Sequence, residues 1–530
     1  MEFVVHEEAI DLHLGLLEAI GPPEEGPWPT LRSLGRSETR TFRAVVLENE
    51  YLRVTLIPDL GGRIAAIHDL RTGTEILPRP ASLEAVAGGP RGVDLPFGIE
   101  VSLDGGPRLN ALGPVRTAMD EESGEAAVWL SETISGWGHS WHLRVSLPNE
   151  RAAIRLELRV LNREGTSYYN GGFRASGMER AGKLWSSALG GFSVVELDAP
   201  MEDGLLRFGR GIELSWRQSD AFSIELIPFS GIGTPNGFGP GGAYSVREGS
   251  LLVQASETVS GAKAALLTEA GQTLEAPLDL DPGRIESIDL GGVVPQALAI
   301  LGPERQVLME GPPSGGEETR KSPFSLRTES DRGLRAVEVS PLLRTAVINE
   351  RARRAMIAKE YENAAELFER SLLYNGDDPI AWWGLAAARR LAGEEGERPE
   401  LLNARWLAPL EPLVRAEIYL GMPADSGANP TGLLDPLDET PDVFIEVAAT
   451  LVDHGMWQDA MRWIDEALRR HDLGALHWLA AYTYHRGTGF RMEAARHVGL
   501  ARERSGPPYA WRPIEKEAIE ELNGAFPSQK

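Results

Sequence analysis

Aromatic and imidazole side chains alternate in the segment WGHSWH, which covers residues 137–142. In an extended strand, Trp137, His139 and Trp141 share one face, and His142 points to the other. Two indole rings beside an imidazole form a platform that can bind the apolar face of a sugar ring. In the alternative interpretation, both tryptophans are core residues and His139 is a hydrogen-bonded interior histidine. The alternation also makes His139 and His142 a poor pair of metal ligands.

Glu100 follows an apolar run, residues 95–97, and is the first candidate for acid–base chemistry. Burial raises the pKa of a carboxyl toward values that suit proton transfer. Glycoside cleavage needs a second, facing carboxyl, and epimerisation needs a separate acid and base. The chain contains 78 acidic residues, so most carboxyls are expected at the solvated surface. The candidates for the second group are Asp94, Glu179, Glu225 and His139.

Arg63 directly follows Gly61 and Gly62, and its planar guanidinium can hold sugar hydroxyls. A structural alternative applies to both charged residues. In that interpretation, Glu100 is paired with an arginine such as Arg63 in the core.

Metal and cofactor sites have no support in the sequence. Cysteine is absent and the ten histidines are scattered, so we predict no zinc site. No Gly-x-Gly-x-x-Gly or Walker sequence opens a helix, so we predict no nucleotide cofactor. Spacing alone leaves a carboxylate-bound Ca²⁺ or Mg²⁺ open.

Charge and hydropathy restrict the partners. The net charge of −25 argues against nucleic acid and anionic lipid, because both reward clustered Lys and Arg. No stretch approaches the ~18 apolar residues of a membrane span. The N-terminal segment has no basic leader and no small-residue cleavage pattern, so we predict a cytoplasmic protein.

The character of the sequence changes near residue 335. Before it, Gly and Pro are dense and apolar residues alternate with polar ones, as in residues 51–57 and 154–160. This period of two predicts many short antiparallel strands, and residues 298–301 and 306–309 predict a hairpin. Such a series over most of 300 residues favours a large β-sandwich over a parallel α/β fold.

Helical spacing follows a Gly/Pro/Glu-rich linker at residues 311–321. Tyr361, Ala365, Phe368 and the helix-opening Pro379 follow the tetratricopeptide pattern, a helical hairpin that needs neighbours to cover its face. A second copy begins near Trp457, and the segment between the copies, with a Pro-rich loop at residues 423–441, is a degenerate repeat or an insertion. The helices either bind a protein partner or only brace the sandwich or a dimer.

Residues 46–64, followed by Thr72 and Gly73, resemble the opening of an uncharacterised bacterial domain family. That family has the galactose-mutarotase-like supersandwich fold and is often fused to tetratricopeptide repeats. The segment FGIE at residues 97–100 resembles its Gly-Val/Ile-Glu-Phe motif. Residues 158–163 with 168–170 are similar to a family strand that ends in paired aromatics and Asn. The resemblance covers roughly residues 38–300.

The sequence departs from the family where chemistry is expected. After the motif glutamate, family members usually continue with an aromatic-Pro pair and one or two His, whereas this chain has VSLDGG. A further His beyond the paired aromatics is also missing. There Arg174 can take over the binding of an anionic or hydroxyl-rich ligand, and Tyr169 belongs to the same expected set. A changed substrate and a loss of catalysis would each explain the missing imidazoles.

The supersandwich fold is shared by sugar epimerases, polysaccharide lyases and accessory domains of glycoside hydrolases, so the resemblance implies a carbohydrate. One hypothesis is a glycosidase or epimerase that uses Glu100 with Glu179 or His139. The other is a catalytically silent sugar-binding or scaffold protein whose helices recruit a partner. In either case, we predict an N-terminal extension (1–36), a sandwich (37–325) and a helical domain (326–530). The predicted sugar contacts are Arg63, Asp94, Trp137, Trp141, Tyr169 and Arg174.

Overall fold

A computed structural model gives the structure of the chain. It describes residues 3–19, 31–77, 82–83, 86–87, 93–95, 97–104, 112–120, 124–134, 138–162, 167–176, 178–181, 184–187, 189–196, 207–214, 218–311, 341–394, 398–423, 431–504 and 512–527. In these ranges, a large antiparallel β-sandwich precedes a helical region, which confirms the predicted fold class.

The strands occupy the part of the chain up to Glu310. In chain order they are β1 Val4–Ala19, β2 Leu31–Glu48, β3 Leu52–Ile57, β4 Arg63–Asp69, β5 Thr74–Leu77, β6 Ser82–Leu83, β7 Val86–Ala87, β8 Val93–Asp94, β9 Gly98–Asp104, β10 Arg116–Met119, β11 Ala126–Ile134, β12 His139–Leu147, β13 Ile154–Asn162, β14 Ser167–Ser176, β15 Glu179–Ala181, β16 Leu184–Ser186, β17 Gly190–Glu196, β18 Arg207–Leu214, β19 Gln218–Ser230, β20 Gly237–Gly239, β21 Gly242–Arg247, β22 Ser250–Ala255, β23 Val259–Leu267, β24 Thr273–Leu280, β25 Ile285–Asp289, β26 Ala297–Leu301 and β27 Val307–Glu310.

Two sheets form the sandwich. The first has the order β18-β14-β9-β4-β3-β2-β1-β6, with β5 beside β4, and the second has the order β10-β11-β12-β13-β19-β17-β16-β15. Aliphatic and aromatic side chains from both sheets, such as Val54 and Val101 from the first and Val145 from the second, pack into one core. In β13, the side chains from Ile154 to Val160 alternate between buried and partly exposed, as the sequence predicts. Each sheet therefore has an inner face toward the core and an outer face.

The first sheet begins earlier than the predicted boundary at residue 37. Strands β1 and β2 form a long antiparallel hairpin, in which Val4 pairs with Glu48 and Ala19 with Leu31. On β1, Ile10, Leu12 and Leu14 are buried in a small cluster on the outer side of the first sheet. Residues 4–19 are therefore part of the sandwich, because their alternating apolar side chains need this sheet for burial.

A third sheet, with the order β24-β23-β26-β27-β20-β21-β22-β25, follows the second in the chain. It has its own apolar core, which includes Tyr244, Val253 and Ile300. The antiparallel pairing of β26 with β27 confirms the predicted hairpin. Within the described residues, the strand-rich region is thus a sandwich with an additional eight-stranded sheet and the two-stranded sheet β7-β8.

The helices occupy the C-terminal region. Their bounds are α1 Pro341–Ile357, α2 Tyr361–Leu372, α3 Pro379–Leu391, α4 Pro399–Leu407, α5 Pro412–Leu420, α6 Thr431–Asp438, α7 Asp442–Asp453, α8 Trp457–Arg470, α9 Gly474–Tyr482, α10 Arg491–Glu503 and α11 Pro513–Ala525, with a π-helical turn at Thr483–Thr488. None of the described helices has the length and apolar content that crossing a membrane requires.

The local helix signals agree with the structure. Tyr361 and Trp457, the equivalent aromatics of the two predicted repeats, are the first residues of α2 and α8. Pro379 opens α3, and the side chain of Asp378 caps that helix by accepting from the amide of Ile380 at 3.0 Å. The predicted loop at residues 423–441 contains α6. Most of the predicted linker, from residue 312 on, lies outside the described residues.

The helical region packs on the outer face of the second sheet. Leu161 of β13 belongs to the apolar core of the helices. Gln218 of β19 donates to the hydroxyl of Thr345 in α1 at 3.2 Å. The guanidinium of Arg159 in β13 donates to the carbonyl of Asp377, just before α3. We call this outer face, together with the helix ends that contact it, the covered face.

Candidate functional site

Glu100 lies in β9, between β4 and β14 of the first sheet. Its neighbours Ile99 and Val101 are buried in the core of the sandwich. Because side chains alternate along a strand, Glu100 lies on the outer face of this sheet. The register places it directly opposite Arg174 of β14. This outer face therefore carries a carboxylate and a guanidinium at facing positions.

Arg63, the first residue of β4, is completely buried and holds Glu100 in place. Its Nη2 donates to Oε2 of Glu100 at 2.9 Å. Its Nε donates to the carbonyl of Leu60 at 3.0 Å, and its Nη1 donates to the carbonyls of Leu95 and Phe97, each at 2.9 Å. The guanidinium also lies over the ring of Phe97, at 4.6 Å from its centroid. The guanidinium of Arg63 thus anchors two loop segments and the carboxylate at once.

Arg174 is the more accessible charge of the cluster. Its side chain is 22% exposed, and its Nη1 lies 3.9 Å from Oε1 of Glu100. Ser102 and Ser176 lie on the same face, next to Glu100 and Arg174 along their strands, and both are buried apart from a few per cent of their surface. The two oxygens of the Glu100 carboxylate thus face two different guanidinium groups, one buried and one partly open to solvent.

Glycines occupy the neighbouring row of the same face. Ser102 pairs with Gly172, and Gly172 pairs with Gly209 of β18. Two adjacent strand positions beside the charged pair therefore carry no side chain. Glu100, Arg174, Ser102 and Ser176, together with Gly172 and Gly209, make a polar patch, which we call the Glu100 patch.

The second sheet holds other residues of the predicted site. His139 and Trp141 lie on its inner face and are buried. The indole nitrogen of Trp141 donates to Oε2 of Glu132 at 2.9 Å, and its ring belongs to the sandwich core. Glu179 is exposed, in the edge strand β15. The first sheet lies between the Glu100 side chain and the inner face that carries His139, so the structure does not bring these residues together.

Three predicted sugar contacts fall on parts of the chain with limited description. Trp137 lies outside the described residues. Asp94 is placed in β8, and Tyr169 in β14 opposite Ile212, by their backbones alone. Of the predicted contacts, the structure therefore groups Arg63 and Arg174 around Glu100.

A second polar cluster lies on the covered face, and sequence reasoning missed it. His142 and Ser140 of β12 share one partner, the buried carboxylate of Glu411, which lies 3.2 Å from each. Glu411 also accepts from the amide of Leu413 and so caps α5. Burial lowers the pKa of His142, although the adjacent Glu411 opposes this shift. No local signal points to this cluster, because Glu411 is 269 residues away from His142 in the chain.

Within the described ranges, no group of three or more His, Asp and Glu side chains converges in a way that could hold a metal ion. The chemistry of the Glu100 patch is that of a fixed carboxylate beside guanidinium donors. A carboxylate accepts hydrogen bonds from hydroxyl groups, and a guanidinium donates several in one plane. This combination suits a ligand with many hydroxyls.

Comparison with known proteins gives one family match. Residues 32–173 match a family described as a domain of unknown function (DUF5107). The matched segment contains Arg63 and Glu100 and ends one residue before Arg174. The matched residues fall largely within the segment, roughly residues 38–300, in which the sequence resembles an uncharacterised domain family.

Solved structures similar to the chain include proteins of both fold types. A TPR-domain containing protein from Parabacteroides distasonis is 16% identical, with a TM-score of 0.31, and the match covers 100% of this chain and 96% of that one. A galactose mutarotase-like protein from Clostridium acetobutylicum is 9% identical over 36% of this chain and 96% of that one, with a TM-score of 0.23. A TPR protein from Thermus thermophilus is 18% identical over 34% of this chain and 98% of that one, with a TM-score of 0.20.

Proposed function

We propose that this protein binds a carbohydrate at the Glu100 patch. The observation that carries the proposal is the geometry of Glu100. Its carboxylate is fixed by the fully buried Arg63 at 2.9 Å and faces the partly exposed Arg174 at 3.9 Å. A carboxylate held in this way loses little conformational entropy when it accepts hydrogen bonds from a ligand.

The glycine row supports the same ligand class. A sugar ring is flat and carries hydroxyls at its edge, so it fits a surface that combines polar rim groups with backbone free of side chains. Gly172 and Gly209 lie beside Glu100 and Arg174 and carry no side chain, and Gly172 is itself buried.

The finer question is whether Glu100 transfers a proton or only binds. Glycosidases and epimerases need a second titratable group near the first. Of the predicted partners, His139 lies on the inner face of the second sheet, with the first sheet between it and the Glu100 side chain, and Glu179 is exposed in the edge strand β15. This separation favours a site that only binds its ligand. The competing hypothesis is a catalytic role for Glu100, with Asp94 as the second titratable group.

The test is a panel of neutral and acidic mono- and oligosaccharides, screened for binding by calorimetry and for turnover by product analysis. We expect Glu100→Gln to weaken binding of the selected sugar about ten- to a hundred-fold, because a hydrogen bond to a charged group is lost. Turnover that falls about 10²–10⁴-fold with little change in affinity would instead identify Glu100 as a catalytic acid or base.

The matched control is Glu225→Gln. Glu225 is also a buried carboxylate, and Arg151 and Arg155 lie 3.0 and 3.2 Å from it, but it belongs to the second sheet. We expect this variant to bind the sugar like the wild type. A panel in which no sugar binds, or in which both variants bind like the wild type, would refute the proposed site.

A further inference from the structure

The turn that joins β3 to β4 is linked by hydrogen bonds to Arg63, which holds Glu100, and to Arg43, which contacts the helical domain. It consists of the 3₁₀ turn Pro58–Leu60 and of Gly61 and Gly62, and we call residues 58–62 the glycine turn. Arg63 follows it directly, and its Nε donates back to the carbonyl of Leu60 at 3.0 Å. The position of the Arg63 guanidinium, and with it that of Glu100, therefore depends on this turn.

The segment before β10, residues 113–115, is hydrogen-bonded to the glycine turn. Gly61 donates to the carbonyl of Gly113, and Val115 donates to the carbonyl of Pro58, both at 3.0 Å. Gly62 has a φ of +70°, and a Cβ at this position would lie 2.7 Å from Val115 Cγ2. Only glycine fits this backbone conformation and this close contact.

Arg116, the residue after Val115, connects the segment that contacts the glycine turn to the helical domain. It is fully buried and donates to the hydroxyls of Ser131 and Thr133 in β11. Its other terminal nitrogen donates to the hydroxyl of Thr440, between α6 and α7, at 3.1 Å. The segment that supports the glycine turn is thus itself attached to the helices.

Arg43 of β2 makes a second connection. Its backbone amide donates to Oδ2 of Asp59 in the glycine turn at 2.8 Å. Its guanidinium forms a bidentate pair with Glu439, at 2.7 and 3.0 Å. Burial opposes the charge of Arg43, but Glu439, Asp59 and Glu7 together raise its pKa. Arg43 therefore links the two regions: its guanidinium contacts the helical domain and its backbone amide contacts the glycine turn.

We infer that Arg43 and Glu439 are positioning residues, through which the helical domain holds the glycine turn and thereby orients Arg63 and Glu100. The contacts run from Glu439 to Arg43, Asp59 and Leu60, then through Arg63 to the carboxylate of Glu100. The consequence for sugar binding rests on the proposed function, whereas the mechanical link does not.

The pair is partly exposed, with side-chain exposures of 27% for Arg43 and 30% for Glu439. Such pairs make small contributions to stability. Loss of the pair should therefore loosen the glycine turn locally rather than unfold the protein.

The direct test is amide hydrogen exchange, followed by mass spectrometry, on the full-length protein. We expect Glu439→Gln and Arg43→Lys to accelerate exchange about two- to five-fold at the amides of Gly61 and Val115. Lysine keeps the charge but cannot form the bidentate pair, so the second variant tests the geometry. The control is Asn375→Ala, which removes a different contact with the second sheet, at the carbonyl of Ser219.

Two results would overturn the inference: wild-type exchange at Gly61 and Val115 in both variants, or equal acceleration in Asn375→Ala. Affinity for the sugar selected by the panel gives a second readout, which should weaken in Glu439→Gln but not in Asn375→Ala. If no sugar binds, the proposed function fails while the exchange result still decides the positioning role.

Discussion

The outer faces of the two sheets carry similar residue types and use them differently. On the second sheet, the polar side chains of Ser140, His142 and Arg116 are completely buried against helix ends. On the first sheet, Glu100 and Arg63 are buried in the same way, but the neighbouring Arg174 keeps part of its surface in solvent. Polar residues on the outer face of a strand therefore do not by themselves indicate a binding site. What distinguishes the Glu100 patch from the cluster of Ser140, His142 and Glu411 is that one of its charged groups, Arg174, remains accessible.

The largest effect is expected for Glu100→Leu. This change leaves Arg63 as a buried cation without its carboxylate, which destabilises a protein by about 3–5 kcal/mol. Glu100→Gln keeps an oxygen for Arg63 and should destabilise less. Urea unfolding measures both free energies. A Glu100→Leu protein within about 1 kcal/mol of the wild type would show that the three backbone carbonyls suffice for Arg63.

On the covered face, the matching change is Glu411→Ala. It removes the acceptor of His142 and Ser140 and the cap of α5. We expect a loss of about 2–4 kcal/mol in the free energy of unfolding, without any change in sugar affinity. If sugar affinity fell together with stability, the two faces would be coupled more broadly than through the glycine turn.

A pH dependence should come from Asp378, at the edge of the covered face. Burial raises its pKa from 3.8 to about 6. The folded state therefore binds more protons than the unfolded state at pH values between these two, so this group adds stability as the pH falls through 6. Asp378→Asn keeps the helix cap and removes the titration.

We expect the Asp378→Asn variant to be more stable than the wild type by about 1–3 kcal/mol at pH 8, with the difference vanishing near pH 4. His142, whose pKa is lowered by burial, acts in the opposite direction. Because it is present in both proteins, its contribution cancels when they are compared at each pH. A difference in stability that does not change with pH would contradict the raised pKa of Asp378.

The smallest effect on stability is expected for Arg174→Ala. The side chain is 22% exposed, so the loss should stay below about 1 kcal/mol. Affinity for the sugar should fall nevertheless, because a donor of the Glu100 patch is removed. A variant with reduced stability and unchanged sugar affinity would indicate that Arg174 has a structural role and does not bind the sugar.

The sequence predicts elements whose signals are local. The alternation in β13 and the proline and aspartate at the start of α3 act over a few residues, and both elements form where expected. The sequence predicts an extension at residues 1–36, whereas β1 and the start of β2 belong to the first sheet, because alternation alone does not show which sheet buries a strand.

The site could be predicted only in part for the same reason. The sequence points to both Glu100 and Arg63, and their pairing is one of the alternatives that it leaves open. No pattern in the sequence indicates the contact between Arg43 and Glu439, because 396 residues separate them. Contacts of this kind depend on how the two domains dock. Local periodicity in the sequence carries no information about this docking.

The polar character of the covered face also bears on protein synthesis. The second sheet is complete at Ser230, whereas Glu411 and Thr440 follow roughly 200 residues later, which corresponds to about 10–40 s of translation. During this interval, the outer face of the nascent sheet contacts water instead of helices. Hydroxyl, imidazole and guanidinium groups tolerate water, whereas an apolar face would favour aggregation on the ribosome. A polar interface lets the chain delay the docking of its helical domain.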